Sequence, residues 1–126
     1  MEPVIVWYLR MSLLYFLTGA LTGVFMLTWP SEAGYFLPVH VHLNLLGFMS
    51  MMIYGVGYHI LPRFSGTTIY SKKIMSIQFW LANAGLLGMA AGWLSGQDGV
   101  LVVSALLTLA AVMLFVLNLF KTIKTA

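Results

Sequence analysis

The sequence predicts an all-α membrane protein: an antiparallel bundle of four transmembrane helices with both termini on the cytoplasmic side. Three observations carry this. Hydrophobic residues make up 61% of the 126-residue chain and charged residues only 7%, with a mean hydropathy of +0.97, far from the composition of a soluble domain. Four apolar runs, 11–29, 40–61, 74–94 and 100–120, are each long enough, at roughly 20 residues, to cross a hydrocarbon core of about 30 Å as helices. The charges are segregated. Arg10, Arg63, Lys72, Lys73, Lys121 and Lys124 flank the N-terminus, the second loop and the C-terminus, whereas Glu32 and Asp98 are the only charges in the first and third loops. The positive-inside rule then places both termini in the cytoplasm. The net charge of +3 is a topology signal in this pattern and does not point to nucleic acid.

The first run is too long for the apolar region of a signal peptide and no small-residue cleavage site follows it before Trp29-Pro30, so it is read as a retained span. Gly19 and Gly23 make a GxxxG pattern on it, which fits close helix packing or room for a flat cofactor against the backbone. Pro30 ends this span, and Pro38 stands just ahead of the second, where a missing N–H is tolerable near a helix start. The second helix is expected over 40–61, closed by Pro62, with a basic cytoplasmic loop from Arg63 to Lys73. The third carries Gln78 and Asn83 with Gly85, Gly88 and Gly92 at three- and four-residue spacing. Ser95-Gly-Gln-Asp-Gly99 is a short turn that folds the third and fourth spans into a helical hairpin. No repeat or linker divides the chain, so 1–126 reads as a single domain.

The second span holds the chemistry. All three histidines, His40, His42 and His59, lie on it. Polar groups on a membrane-spanning helix are costly unless something engages them, which makes them functional candidates, and imidazole is the commonest metal ligand. At about 100° per residue, His40 shares a stripe with Asn44, Gly47, Met51, Gly55 and Tyr58, whereas His42 heads a stripe of Leu46, Met49, Ile53 and Val56. Spacing of i, i+2 sends the two rings to nearly opposite faces, so they do not readily ligate one ion and different partners are implied. Each has a plainer reading as a hydrogen-bonded structural residue. His59 follows His42 by 17 residues, about 26 Å along a helix, and reads as an interfacial side chain, a second ligand or a contact for a haem propionate.

Chemistry is also bounded by what is missing. The chain has no cysteine, which removes disulfides, thiolate ligands, iron–sulfur clusters and c-type haem attachment. Glu2, Glu32 and Asp98 all lie at termini or in loops, so paired-acid catalysis and a carboxylate proton pump have no residues to use. Nor is there a Ser-His-Asp arrangement, a Walker loop or an HExxH motif. Met49, Met51 and Met52 offer soft thioethers for copper(I), although methionine is as readily an apolar filler. Trp7, Tyr8, Trp29 and Tyr35 read as interfacial anchors.

Several of these segments resemble the start of subunit I of the haem-copper oxidase superfamily, including its nitric oxide reductase branch and short relatives. The resemblance rests on Phe16-Leu-Thr-Gly19 with Gly23, on His40-Val-His42-Leu-Asn44 with Tyr58-His-Ile-Leu-Pro62, and on Gln78-Phe-Trp80-Leu. Leu61-Pro-Arg63-Phe-Ser-Gly66 followed by Tyr70-Ser-Lys72 is similar too, and together these cover roughly three quarters of the chain. The resemblance implies a b-type haem with an outer histidine of helix two as axial ligand. The match falls on His40, with His42 two residues away as the other candidate, and Asn44, Gly47 and His59 lining the same cofactor region. It also implies a bacterial inner membrane, electron transfer, diatomic-gas sensing or haem handling, and a respiratory-chain partner. Family enzymes carry the opposing haem ligand and the copper ligands on later helices that this chain does not contain. Oxygen or nitric oxide reduction by this chain alone is therefore not expected, and an identical subunit is a natural source of a second axial ligand. The alternative is a non-catalytic accessory subunit of a larger oxidase or reductase, docking through its GxxxG faces.

Overall fold

The computed structural model describes residues 1–124, and all of its regular structure is helical. Four helices are long and apolar enough to span a membrane, and the chain is an integral membrane protein. Helix α1 is Pro3–Thr28, with Pro3 in the first turn where its missing N–H is harmless. Helix α2 runs without a break over Pro30–Phe64. Helix α3, Lys72–Ser95, is capped by Ser71, whose Oγ accepts from the Ile74 N–H at 3.1 Å. Helix α4 is Asp98–Thr122. Gly96 takes the left-handed conformation, φ 69°, that ends α3 and turns the chain into α4.

Every helix is longer than the apolar run that announced it, because capping and interfacial residues extend a helix beyond its lipid-compatible window. The largest difference is at α2, which starts at Pro30, ten residues before the expected His40. Pro38 therefore lies inside a helix, and His40 and His42 stand about three turns from its start. Its pitch varies along its length. It opens as a tight 3₁₀ turn over Pro30–Glu32, is α-helical over Ala33–His42, widens to a π-helix over Leu43–Ser50, and is α-helical again over Met51–Phe64. Side chains of the widened stretch bond to carbonyls in it and just ahead of it: Asn44 Nδ2 donates to His40 O at 2.8 Å and Ser50 Oγ to Leu45 O at 2.9 Å.

Glycines set the helix spacing. A Cβ added at Gly19 would lie 2.7 Å from the Asn44 side chain, at Gly23 2.9 Å from His40 Cε1, at Gly47 2.5 Å from Tyr15 and at Gly55 2.7 Å from Leu9. On α3, Gly85 and Gly88 lie against Thr108 and Ser104, and Gly92 against Leu101. These small residues let backbones approach within the chain.

Tyr8 is a correction to the sequence reading: it is fully buried, and its hydroxyl donates to Met75 O at 2.7 Å. It packs on Tyr54, Tyr58 and Phe79. A buried tyrosine needs a partner for its hydroxyl, and a carbonyl of α3 supplies it. Trp7, Trp29 and Tyr35 remain exposed, as anchors should be.

Candidate functional site

His40 and His42 lie on the α-helical stretch just ahead of the wide turns, and side chains two residues apart leave a helix on different faces. His40 is half-buried at the α1–α2 seam, and its Nδ1 lies 2.8 Å from Gly19 O. Asn44, one turn on, packs over the same Gly19, and Gly47 lies under Tyr15. Of the expected stripe of His40, Asn44, Gly47, Met51, Gly55 and Tyr58, His40, Asn44, Gly47 and Gly55 meet α1, Met51 is buried, and Tyr58 packs on Tyr8 while its hydroxyl reaches α3 and α4.

His42 turns the other way. Its Nδ1 lies 2.8 Å from Pro38 O on its own helix, and its ring is 4.6 Å from that of Trp93 on α3. The stripe expected to continue from it divides, for Leu46 packs on the core whereas Met49, Ile53 and Val56 are exposed.

These hydrogen bonds fix the chemistry of both rings. A carbonyl oxygen only accepts, so each Nδ1 is the donor and carries the hydrogen. The lone pair of each neutral imidazole is then on Nε2, the arrangement of a metal-ligating histidine oriented through its other nitrogen. The two Nε2 atoms belong to rings in contact with different helices, so they do not converge.

His59 is not brought to this region. It lies at the other end of α2, in a hollow of about 270 Å³ with Glu2, Tyr58, Arg63 and Lys72. The methionines do not converge either, since Met51 is buried and Met49 is exposed. Among the described residues no three His, Cys, Asp or Glu side chains gather as a metal site.

Sequence reading missed two sets of buried polar contacts, one between α1 and α3 and one joining α2, α3 and α4. Tyr15 on α1 donates to Asn83 Oδ1 on α3 at 2.6 Å. Tyr58 on α2 donates to Gln78 Oε1 on α3. Asn118 on α4 donates to Tyr58 Oη at 3.3 Å and to Ser71 O at 2.9 Å, and accepts from the Ser71 N–H at 3.0 Å. Gln78, Asn83 and Asn118 were each visible as polar residues within apolar runs, and that is the signal that could have found them.

Similarity to known proteins falls on part of the chain. Over 59 residues it is 41% identical to cytochrome c oxidase subunit 1 of Rhodobacter capsulatus, covering 45% of this chain and 11% of that protein. Over the same length it is 36% identical to the cbb3-type cytochrome c oxidase subunit CcoN1 of Stutzerimonas stutzeri, covering 45% and 12%. A cytochrome c oxidase subunit 1 homolog of Agrobacterium tumefaciens strain T37 matches at 36%, covering 45% and 11%. The chain thus spans about a tenth of the length of these relatives. No family model matches, and no solved structure matches. The partial homologues are cytochrome c oxidase subunit 1 proteins, in keeping with the resemblance seen in the sequence.

Proposed function

We propose that this chain is a b-type haem-binding membrane protein related to the haem-bearing part of an oxidase subunit 1, with His40 as axial ligand and His42 as the alternative. The carrying observation is the pair of carbonyl-held Nδ1 atoms, which leave each Nε2 with its lone pair. Donor number favours haem over a bare metal ion. A porphyrin brings four nitrogens and needs one imidazole, whereas a zinc or copper site needs three or four protein donors, more than these side chains bring together. Bound haem supplies one-electron transfer or an iron that takes a diatomic gas. The chain's own part is to hold the imidazole: Gly19 O fixes the tautomer of His40, Gly23 leaves space for its ring, and Asn44 takes up the His40 carbonyl. The second axial position is left open for a gas or filled by an identical subunit.

The proposal includes the topology. Residue pairs 19/44, 47/15 and 55/9 between α1 and α2, and 85/108, 88/104 and 92/101 between α3 and α4, run in opposite chain directions. This supports an antiparallel bundle, with the basic residues of the termini and second loop on the cytoplasmic face of a bacterial inner membrane. The accessory-subunit alternative loses the docking faces it relied on, because the glycine faces are filled by neighbours within the chain.

A reduced-minus-oxidised spectrum of the detergent-purified protein, expressed with ample haem, tests the reading. A Soret band that is lost or shifted in His40→Ala or His42→Ala supports it and identifies the ligand. No Soret band in the unaltered protein, even after hemin is added, overturns it. Carbon monoxide reports the sixth position: a shift on addition to the reduced protein means an open or displaceable site.

A further inference from the structure

The loop between α2 and α3 divides the basic end of the molecule into two hollows that share Thr68 and Ile69. The smaller is the one that holds His59, Arg63 and Lys72. The larger, about 570 Å³, is formed by the loop with Lys121, Thr122 and Lys124 at the end of α4. Both are cationic. In the smaller, Lys72 Nζ pairs with Glu2 Oε1 at 2.7 Å, which leaves the charge of Arg63. Among the described residues the larger is lined by two lysines and no carboxylate, and the C-terminus of α4 offsets them by only about half a charge. Lys121 is held in place, its Nζ 4.9 Å from the centre of the Tyr70 ring.

An anion-seeking surface here adjoins a strongly apolar one. Phe64 and Phe120 are 85% and 82% exposed at its edge. Along α4, exposed Leu117 and Met113 lie successively one turn below Lys121, and exposed Val116 lies one turn below Phe120. A cationic hollow at the head of a bare apolar strip matches an amphiphile, with an anionic group above and acyl chains beneath. Inorganic phosphate would satisfy the lysines and leave the strip unused.

We infer that this end of the protein binds an anionic phospholipid with two phosphodiester groups, one in each hollow across Thr68–Ile69, its chains lying along α4. This does not depend on the haem reading. The test is the thermal unfolding midpoint of the purified full chain in detergent, with diphosphatidylglycerol, phosphatidylglycerol, phosphatidylcholine or inorganic phosphate at equal phosphate. Diphosphatidylglycerol should raise the midpoint by at least about 4 °C, phosphatidylglycerol by less, and the other two not at all. High salt should shrink the shift. Lys121→Gln with Lys124→Gln, and separately Arg63→Gln, should each reduce it at least by half. An equal shift with phosphatidylcholine or inorganic phosphate overturns the lipid assignment, and an equal shift with phosphatidylglycerol overturns the two-phosphate assignment. Native mass spectrometry of the unaltered protein is a second readout independent of the variants. One retained diphosphatidylglycerol per chain is expected, and retention of zwitterionic lipid in its place counts against the site.

Discussion

His40 and His42 are two residues apart, yet their Nδ1 atoms bond to carbonyls on different helices, Gly19 O on α1 and Pro38 O on α2. Each bond specifies a tautomer, and each is vulnerable to a single nearby change. The Cβ of Gly23→Val would meet the His40 ring, 2.9 Å from Cε1, forcing the imidazole away from Gly19. It should cost about 1–3 kcal/mol of stability, as overpacking does, and shift the Soret band if His40 is the ligand. An unchanged spectrum in a folded, haem-loaded Gly23→Val protein would assign ligation to His42. Gln78 presents a different case. It is fully buried, Oε1 accepts from Tyr58, and Nε2 has no hydrogen-bond partner among the described residues. Gln78→Met alone leaves the Tyr58 hydroxyl without its acceptor and should cost about 1–3 kcal/mol. Adding Tyr58→Phe should recover part of that loss, because two apolar groups replace two polar ones. A double-mutant cycle measures the coupling, and strictly additive effects would dismiss the network as a stabilising unit.

At the scale of elements, the behaviour of α2 decides the site. The histidine, asparagine and glycine spacing was legible in the sequence, and so was the stripe that faces α1. The π-helical stretch over Leu43–Ser50 was not, because hydrophobic periodicity assumes one pitch and no local residue pattern announces the change. Its signature is the pairing of carbonyls with side chains at Asn44 and Ser50. Inserting one alanine after Met52, where the pitch is α-helical again, rotates His40 by about 100° relative to Gly55 and Tyr58. The insertion should therefore abolish haem retention or folding. An insertion protein with a normal Soret band and normal stability would show that the register of α2 has no role in placing the histidine. The hairpin of α3 and α4 was foreseen more fully, since Gly85, Gly88, Gly92 and the turn residues all signal it. What escaped notice was Asn118, which ties α4 to Tyr58 and Ser71.

For the whole molecule, orientation is the property to measure. The chain has no cysteine, so single introduced thiols report sidedness directly. Ser31→Cys and Gln97→Cys should react with an impermeant reagent from the periplasmic side, and Thr68→Cys only after the membrane is opened. Reaction of Thr68→Cys in intact cells would reverse the proposed topology. All three positions are exposed, which keeps the substitutions mild. The similarity to oxidase subunit 1 proteins covers about a tenth of their length. For the proposed haem, a second axial ligand from an identical subunit is tested by light-scattering mass together with the spectrum in carbon monoxide.

Membrane residence, the number of spans and the segregation of charge followed from the sequence alone. They depend on composition and length summed over many residues, and the bilayer imposes both. The tertiary structure decided the rest: where α2 begins, which ring nitrogen is free, that Tyr8 is core, and that Tyr58, Gln78 and Asn118 meet. Those outcomes depend on which backbone carbonyl or side chain lies within about 3 Å of a polar atom. Such distances are set by the packing of separate helices, which the residue order along any one of them does not encode locally.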